Sequence, residues 1–338
     1  MDESKYYNAV AIALKGSYGK IKKLKDRHVT WKTVLGNIQN APDPDKEHLQ
    51  LEKFGVRLIL MENPEYPESL KHIPFPPFGL YVLGNVRYDS PAVAVVGTRK
   101  PTPLGKDLSG RFSEKLSAAG IPIISGLALG IDAEAHRGAL LTSGKTVAVL
   151  GTPLDNIYPK QNDQIAREIL ENDGAVISEF AFGHPYNPAN FLARNRIISG
   201  LSRGILIIEA PERSGSLATA KFALEQDRDI FVIPGNPESL NYKGSNSLLK
   251  SGAILVTDPQ DILDHYGINT EENIRNSEEL SESDREILEI IRELGESASA
   301  EHIIEASGME VPEINRMLAL LTIKGIIKEL SGKYSINS

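Results

Sequence analysis

The chain has 338 residues, a formal net charge of −8, 41% apolar residues and no cysteine. That length allows two or three domains around a large core, and no apolar run is long enough to span a bilayer. The opening MDESKYYNAV has neither the basic start nor the apolar centre of a signal peptide, so a cytoplasmic protein with no membrane segment is expected. Without cysteine there is no disulfide, thiolate metal site or cysteine nucleophile, and the seven scattered histidines show no ligand spacing. No metal and no cofactor are expected.

The negative charge is not spread evenly. Residues 1–91 carry 13 Lys and Arg against 11 Asp and Glu, residues 92–265 carry 17 against 19, and residues 266–338 carry 7 against 15. The whole excess lies in the tail, so a nearly neutral central region can still hold a basic pocket.

Residues 1–70 read as a small helical module, with helices over Tyr6–Leu14, Trp31–Ile38 and Asp45–Phe54 separated by GSYGK and APDPD. The turn Gly16–Gly19 is similar to those of helix-hairpin-helix and sterile-alpha-motif-like modules that touch DNA backbones. A module that only packs is the other reading. NPEYPESLKHIPFPP, from Asn63 to Pro77, is too dense in proline for regular helix or central strand and forms an ordered connector. FGLYVLGN then supplies a short strand.

The centre, residues 71–266, alternates strand and helix. Strands are predicted at Ala92–Val96, Ile121–Ser125, Thr146–Gly151, Ala175–Ser178, Gly204–Glu209, Ile230–Ile233 and Ala253–Val256. Helices are predicted over Gly105–Ala119, Ile131–Leu141, Asp163–Asn172, Pro188–Leu201 and Ser216–Gln226. The pattern predicts an α/β fold with an extended Rossmann-like, doubly wound parallel sheet. Residues 267–282 form an acidic linker. Residues 283–338 follow the winged-helix order, with three helices (Asp284–Leu294, Ala300–Ser307, Val311–Lys324) and a two-stranded ending. Glu310, Glu313 and Arg316 start the third helix, and this acidic domain is expected to contact protein rather than read DNA.

Three turns at the carboxyl ends of strands suit anions. Gly97, Thr98 and Arg99 follow the first buried strand. Ser125, Gly126 and Gly130 follow the second. Arg213, Ser214, Gly215 and Ser216 open the helix after the strand ending at Glu209. In each, backbone N–H groups and a helix dipole point toward the sheet's carboxyl edge, where open α/β sheets bind ligands. ANFLARNRIISGLSRG adds Arg194, Asn195 and Arg196 within two turns of a helix, with Phe191 one turn before Asn195. Arginines bind phosphates bidentately and an exposed ring stacks on a base. The competing reading pairs these arginines with carboxylates and buries Phe191.

Two other motifs fail on spacing and context. GALLTSGKT has five residues between its glycines where a P-loop needs four, and its Gly144-Lys145-Thr146 enters a strand instead of opening a helix. Arg99 occupies the second glycine position of a dinucleotide fingerprint. Neither ATP hydrolysis nor dinucleotide binding is expected.

VAVVGTRKPTPLG, SGLALGIDAEAH, VAVLGTPLDNIYP, FLARNRIISGLS, EAPERSGSLATA and IPGNPESLNYKGSNSLLKSGA resemble, in order and spacing, the DprA (Smf) family of bacterial DNA-processing proteins over roughly residues 60–265. The resemblance implies a protein that is not an enzyme and binds single-stranded DNA. It also implies a homodimer that helps load the recombinase RecA during natural transformation. The three turns and the Phe191–Arg196 segment would form its phosphate pocket, with Phe191 as a base-stacking ring. Asp132 and His136 match the family but are expected to be structural, with no catalytic residue in the chain. The dimer contact is expected around Ile254–Tyr266, through Leu255, Ile262, Leu263 and Tyr266. The rival is a nucleoside monophosphate phosphoribohydrolase of the Lonely Guy type, a similar fold whose PGGxGTxxE motif finds no full counterpart in RSGSLATAKFALE.

Overall fold

The computed structural model describes residues 3–88, 90–268, 282–295, 298–309, 311–323, 327–330 and 332–336. The chain divides into two compact units, Met1–Ile268 and Asn269–Ser338.

The first unit opens with four short helices, α1 (Ser4–Ala13), α2 (Tyr18–Lys25), α3 (Trp31–Gly36) and α4 (Pro44–Lys53). Thr30 starts α3 through a capping box with Thr33, and Asp43 starts α4 by accepting from the Asp45 and Lys46 N–H groups. Tyr7, Ile21, Trp31, Val34 and Leu51 bury their apolar faces with Tyr81, Ala148 and Val176 of the sheet. Gly19, expected in a turn, lies in the first turn of α2.

The sheet has nine strands: β1 (Arg57–Leu60), β2 (Gly79–Gly84), β3 (Val93–Val96), β4 (Ile123–Ser125), β5 (Thr146–Leu150), β6 (Ala175–Ser178), β7 (Gly204–Ile207), β8 (Asp229–Val232) and β9 (Ile254–Leu255). Their spatial order is β1-β2-β6-β5-β4-β3-β7-β8-β9. From β6 to β9 every pairing is parallel, while β1 and β2 join antiparallel at one edge. β1 is a correction, because residues 57–60 fall in the stretch expected to be helical. RLIL is too short to show a period of its own, and it becomes a strand by pairing with β2.

Helices cover both faces, as a doubly wound sheet requires. On one face α9 (Pro188–Leu201) and α10 (Gly215–Glu225) place Ile197, Ile198, Leu201, Ala220 and Ala223 against Ala94, Val96, Ile205 and Ile207. On the other, α6 (Pro103–Ala118) and α7 (Ile131–Leu140) place Leu108, Phe112, Leu116, Ile131 and Ala135 against Val93, Val95, Ile123 and Leu206. Next to them α8 (Asp163–Glu171) contributes Ile165 and Ile169.

Besides α2, three helices go beyond the sequence expectation. The single turn α5 (Glu68–Lys71) sits inside the proline-dense connector, since Pro67 occupies its N-cap and leaves a proline-free turn behind it. The others, α11 (Lys243–Lys250) and α12 (Pro259–His265), flank β9.

The topology locates the ligand crevice. β3 and β7 are neighbours, yet the chain leaves β3 toward β4 and leaves β7 toward β8 on the opposite side. Their carboxyl ends therefore diverge, which is the switch point where open α/β sheets bind ligands.

Two residues expected at a dimer contact belong instead to the core. Ile262 and Leu263 of α12 are buried with Phe112 and Phe231, so they cannot also cover a partner. Tyr266 packs edge-on to Phe231 with the Arg203 guanidinium 4.3 Å over its ring. Of the four, only Leu255, on the edge strand β9, is exposed.

The second unit contains α13 (Glu282–Leu294), α14 (Ala300–Ser307), α15 (Val311–Ile323) and the antiparallel hairpin β10 (Ile327–Leu330) and β11 (Lys333–Ile336). Ile287, Ile291, Ile303, Ile314, Leu318 and Leu321 make its core. Glu313 and Arg316 are exposed on α15. Glu310, Lys324 and all of the acidic linker except residues 267, 268 and 282 lie outside the described residues. Among the described residues no helix is long and apolar enough to cross a membrane.

Candidate functional site

A cavity of about 270 Å³ opens at the switch point, lined by the turn after β3, the helix α9 and the start of α10. Its walls hold Arg99, Arg194 and Arg213 against one carboxylate, Asp132. The local balance is cationic in a chain whose total is not.

The turn after β3 is fixed by its neighbours. Thr98 N–H donates to the Glu209 carbonyl at 2.8 Å, and the Thr98 carbonyl accepts from Ile131 N–H at 3.2 Å. Gly97 must be glycine, since a Cβ there would lie 2.6 Å from Ile131 Cγ1 and 3.0 Å from the Glu209 carbonyl. The Glu209 side chain, fully buried, accepts from Thr102 N at 3.0 Å, Thr102 Oγ1 at 2.5 Å and Asn241 Nδ2 at 2.8 Å. It thus ties the Arg99 turn to β7 and to the loop before α11. The Tyr242 hydroxyl beside it has its pKa pushed up to about 12, first by burial and then by the Glu209 charge.

Arg99 is exposed at the rim, 5.8 Å from the centroid of the Phe191 ring. Arg194 is buried. Its Nη1 donates to the Gly126 carbonyl at 2.7 Å and to the Val149 carbonyl, and its Nε donates to Asn195 Oδ1 at 3.2 Å. Among the described residues nothing accepts from its two Nη2 protons, and Arg194 lines the cavity, so the planar fork can offer them to an anion. Burial lowers its pKa to about 10, with Asp132 opposing the shift, and it stays charged at neutral pH. Asp132 accepts from Gly126 N–H at 3.1 Å and Ala128 N–H at 3.4 Å. Burial raises its carboxyl above the usual range, while Arg194 and those N–H groups pull it back.

At the start of α10, Ser214 caps the helix by accepting from Ser216 N–H at 3.3 Å, and its hydroxyl lies 2.6 Å from that of Ser216. Gly215 is exposed with open space where a Cβ would be, and Arg213 stands exposed beside it. Asn195 Nδ2 donates to the Gly215 carbonyl at 3.2 Å, joining α9 to this turn.

Of the residues singled out by sequence, Gly97, Thr98, Arg99, Phe191, Arg194, Asn195, Arg213, Ser214, Gly215 and Ser216 line the cavity. Four do not. The Ser125 hydroxyl is spent on the Val95 carbonyl at 2.7 Å, inside the sheet. Gly126 faces an adjoining recess, and a Cβ there would lie 2.5 Å from the Arg194 guanidinium, so its role is to admit that group. Gly130, at φ 83°, starts α7, and a Cβ would lie 2.5 Å from the Thr98 carbonyl. Arg196 points away, to the Phe75 carbonyl at 2.9 Å and to Glu179 at 2.5 Å. For Arg196 the carboxylate-paired reading is the correct one. The reason is its position two residues from Arg194, which puts it on a different side of α9.

Phe191 is half-buried and belongs to a ring cluster that the sequence did not reveal. Tyr158 and Tyr186 lie 5.7 Å and 5.6 Å from Phe191 and 5.4 Å from each other, and both are exposed. Tyr158 sits in the segment VAVLGTPLDNIYP, but its loop is 28 residues from Tyr186, and only the fold brings them together. His136 is buried in the core, its Nδ1 2.8 Å from Thr146 Oγ1.

A family model described as DNA recombination-mediator protein A matches residues 57–267. The chain is 38% identical over 292 residues to Protein Smf of Escherichia coli, covering 84% of this chain and 78% of that one. It is 42% identical over 225 residues to DNA processing protein DprA of Streptococcus pneumoniae, covering 66% and 78%. Among solved structures, the Streptococcus pneumoniae DprA matches with a TM-score of 0.62 at 31% identity, covering 78% of this chain and 98% of that one. The Helicobacter pylori DprA, whose structure is described for its single-stranded DNA binding mode, matches with a TM-score of 0.56 at 32% identity, covering 62% and 95%.

Proposed function

The chain belongs to the DNA recombination-mediator protein A family, and from that premise we propose that its switch-point site binds single-stranded DNA in a DNA-processing role. The observation that carries the reading is the convergence of Arg99, Arg194 and Arg213 on one cavity beside the Phe191, Tyr158 and Tyr186 rings. Guanidinium groups and the N–H groups at the start of α10 take phosphates, and the exposed rings take bases splayed from the backbone. Such stacking contributes about 1–3 kcal/mol per base and does not select sequence. Duplex DNA keeps its bases stacked and cannot use the rings. The Helicobacter pylori relative's described binding of single strands supports the same reading.

We further propose binding without chemical turnover, a homodimer, and delivery of the bound strand to the recombinase RecA in transformation, as the family resemblance implies. The second unit, with its winged-helix order, would serve protein contact or regulation. The rival, cleavage of nucleoside monophosphates, is tested by incubation with them and assay for released base. The main test is competition of a labelled oligothymidylate by unlabelled single strand and by duplex of the same length. Preference for the single strand supports the proposal, and equal or better competition by duplex contradicts it.

A further inference from the structure

We propose that an exposed basic stripe on the N-terminal helices continues the switch-point site as a second track for the phosphate backbone of the same single strand. This rests on the reading of that site as a single-strand site, and goes beyond it by assigning a separate surface.

Residues 15–32 contain seven Lys and Arg and one Asp, in a chain whose net charge is −8. Lys20 and Lys23 of α2 and Arg27 in the turn after it recur at three- and four-residue steps and so share one stripe, while Ile21 is buried beneath. Lys15 stands just before α2. All four are exposed, and none makes an ion pair among the described residues, whereas neighbouring Lys22 is neutralised by Asp26 at 3.0 Å. Unpaired like charges close together repel, and an anion lying along them removes that cost.

The stripe adjoins the ring cluster. A Cβ at Gly16 would lie 3.3 Å from His184 Cε1, and His184 Nε2 is 2.9 Å from Asn190 Nδ2 on the first turn of α9. Asn190 precedes Phe191 directly, and exposed Tyr186 follows His184 by two residues. The turn bearing Lys15 is thus two side chains from the stacking ring. A strand leaving the cavity past Phe191 and Tyr186 can run toward the turn that bears Lys15 and on to α2. Lys15, Lys20, Lys23 and Arg27 bring charge to this surface, which suits the phosphates of the strand.

The test uses the full chain carrying Lys15→Gln, Lys20→Gln, Lys23→Gln and Arg27→Gln, all exposed changes. Binding is titrated with labelled hexathymidylate and with an oligothymidylate several times longer, each at two salt concentrations. The expected result is unchanged affinity for the short strand, about tenfold weaker affinity for the long one, and a shallower salt slope for the long one by roughly 0.7 for each phosphate no longer neutralised. Long-strand affinity and slope equal to those of the parent protein overturn the inference and leave the switch-point reading standing. Loss on both strands with altered circular dichroism is a folding defect, and the single change Lys23→Glu then decides by the same comparison. If the parent binds neither strand, the switch-point reading fails and this inference with it. Loss only of binding to vesicles of anionic phospholipid reassigns the stripe to a membrane surface and also overturns it.

Discussion

Arg194 Nη1 lies 2.7 Å from the Gly126 carbonyl, and no side chain longer than that of glycine fits at residue 126 without displacing the guanidinium. The charge that faces the cavity is therefore held by the turn after β4, on the far side of β3 from β7.

Gly126→Ala puts a methyl group 2.5 Å from the buried Arg194 guanidinium, which can make room only by giving up its hydrogen bonds to the Gly126 and Val149 carbonyls. The expected outcome is destabilisation of about 1–3 kcal/mol together with weaker DNA binding. Chemical denaturation and oligonucleotide titration check the two. A stable protein with full affinity would show that Arg194 need not occupy its observed place.

The ionised Glu209 carboxylate accepts from Thr102 N–H, Thr102 Oγ1 and Asn241 Nδ2 and has no proton to donate. Glu209→Gln keeps the shape but turns an amide toward donors, and a buried unsatisfied donor costs about 1–3 kcal/mol. Because Glu209 also anchors the turn bearing Arg99, the loss in DNA affinity should accompany the loss in stability. Unaltered melting temperature and affinity would remove Glu209 from this role.

His136 gives a pH prediction. The Thr146 hydroxyl donates to the Ile123 carbonyl at 2.7 Å, so it accepts from His136 Nδ1–H, and the buried Nε2 is left as a lone pair without a partner among the described residues. Burial holds the ring neutral, lowering its pKa to about 3. The unfolded chain takes up this proton below its ordinary value of about 6.5, so the stabilisation is full above that and is lost as pH falls toward the folded value. Between about pH 7 and about pH 5 the loss is roughly 2 kcal/mol. Urea unfolding should show this slope in the parent protein and a shallower one in His136→Asn. Equal slopes would contradict the assignment.

The acidic second unit is expected not to contribute to single-strand affinity, because a local negative excess repels a polyanion. The cut belongs after Ile268 and not after Tyr266, since Ile268 packs on the first unit's core and its N–H donates to the Leu263 carbonyl at 2.9 Å. Truncation there should leave affinity unchanged or slightly higher. A folded truncated protein that binds tenfold less tightly, about 1.4 kcal/mol, would make the second unit a DNA-binding element.

Periodicity and glycine placement made most of the parallel sheet legible, because VAVV, TVAVL and GILI are short apolar runs that suit strands buried on both faces, as they prove to be. The turns after β3 and before α10 were legible for the same reason, as each follows such a strand. What escaped depends on how distant segments meet. RLIL becomes β1 only by pairing with β2, and Tyr158 and Tyr186 come together only through the fold, beside Phe191. The roles of Arg194 and Arg196 could not be separated from spacing alone, since the difference lies in Glu179 and the Phe75 carbonyl on one side and the cavity on the other.

The most direct test of the switch-point site is the salt dependence of oligothymidylate binding by the parent protein and by Arg99→Ala. Arg99 is exposed and makes no hydrogen bond or ion pair through its side chain among the described residues, so its removal spares the fold. Binding should weaken whatever the sequence of the strand, with the slope of log affinity against log salt reduced by about 0.7, the value for one phosphate contact on a single strand. Affinity and slope both equal to those of the parent would contradict the assignment of this cavity as the phosphate site.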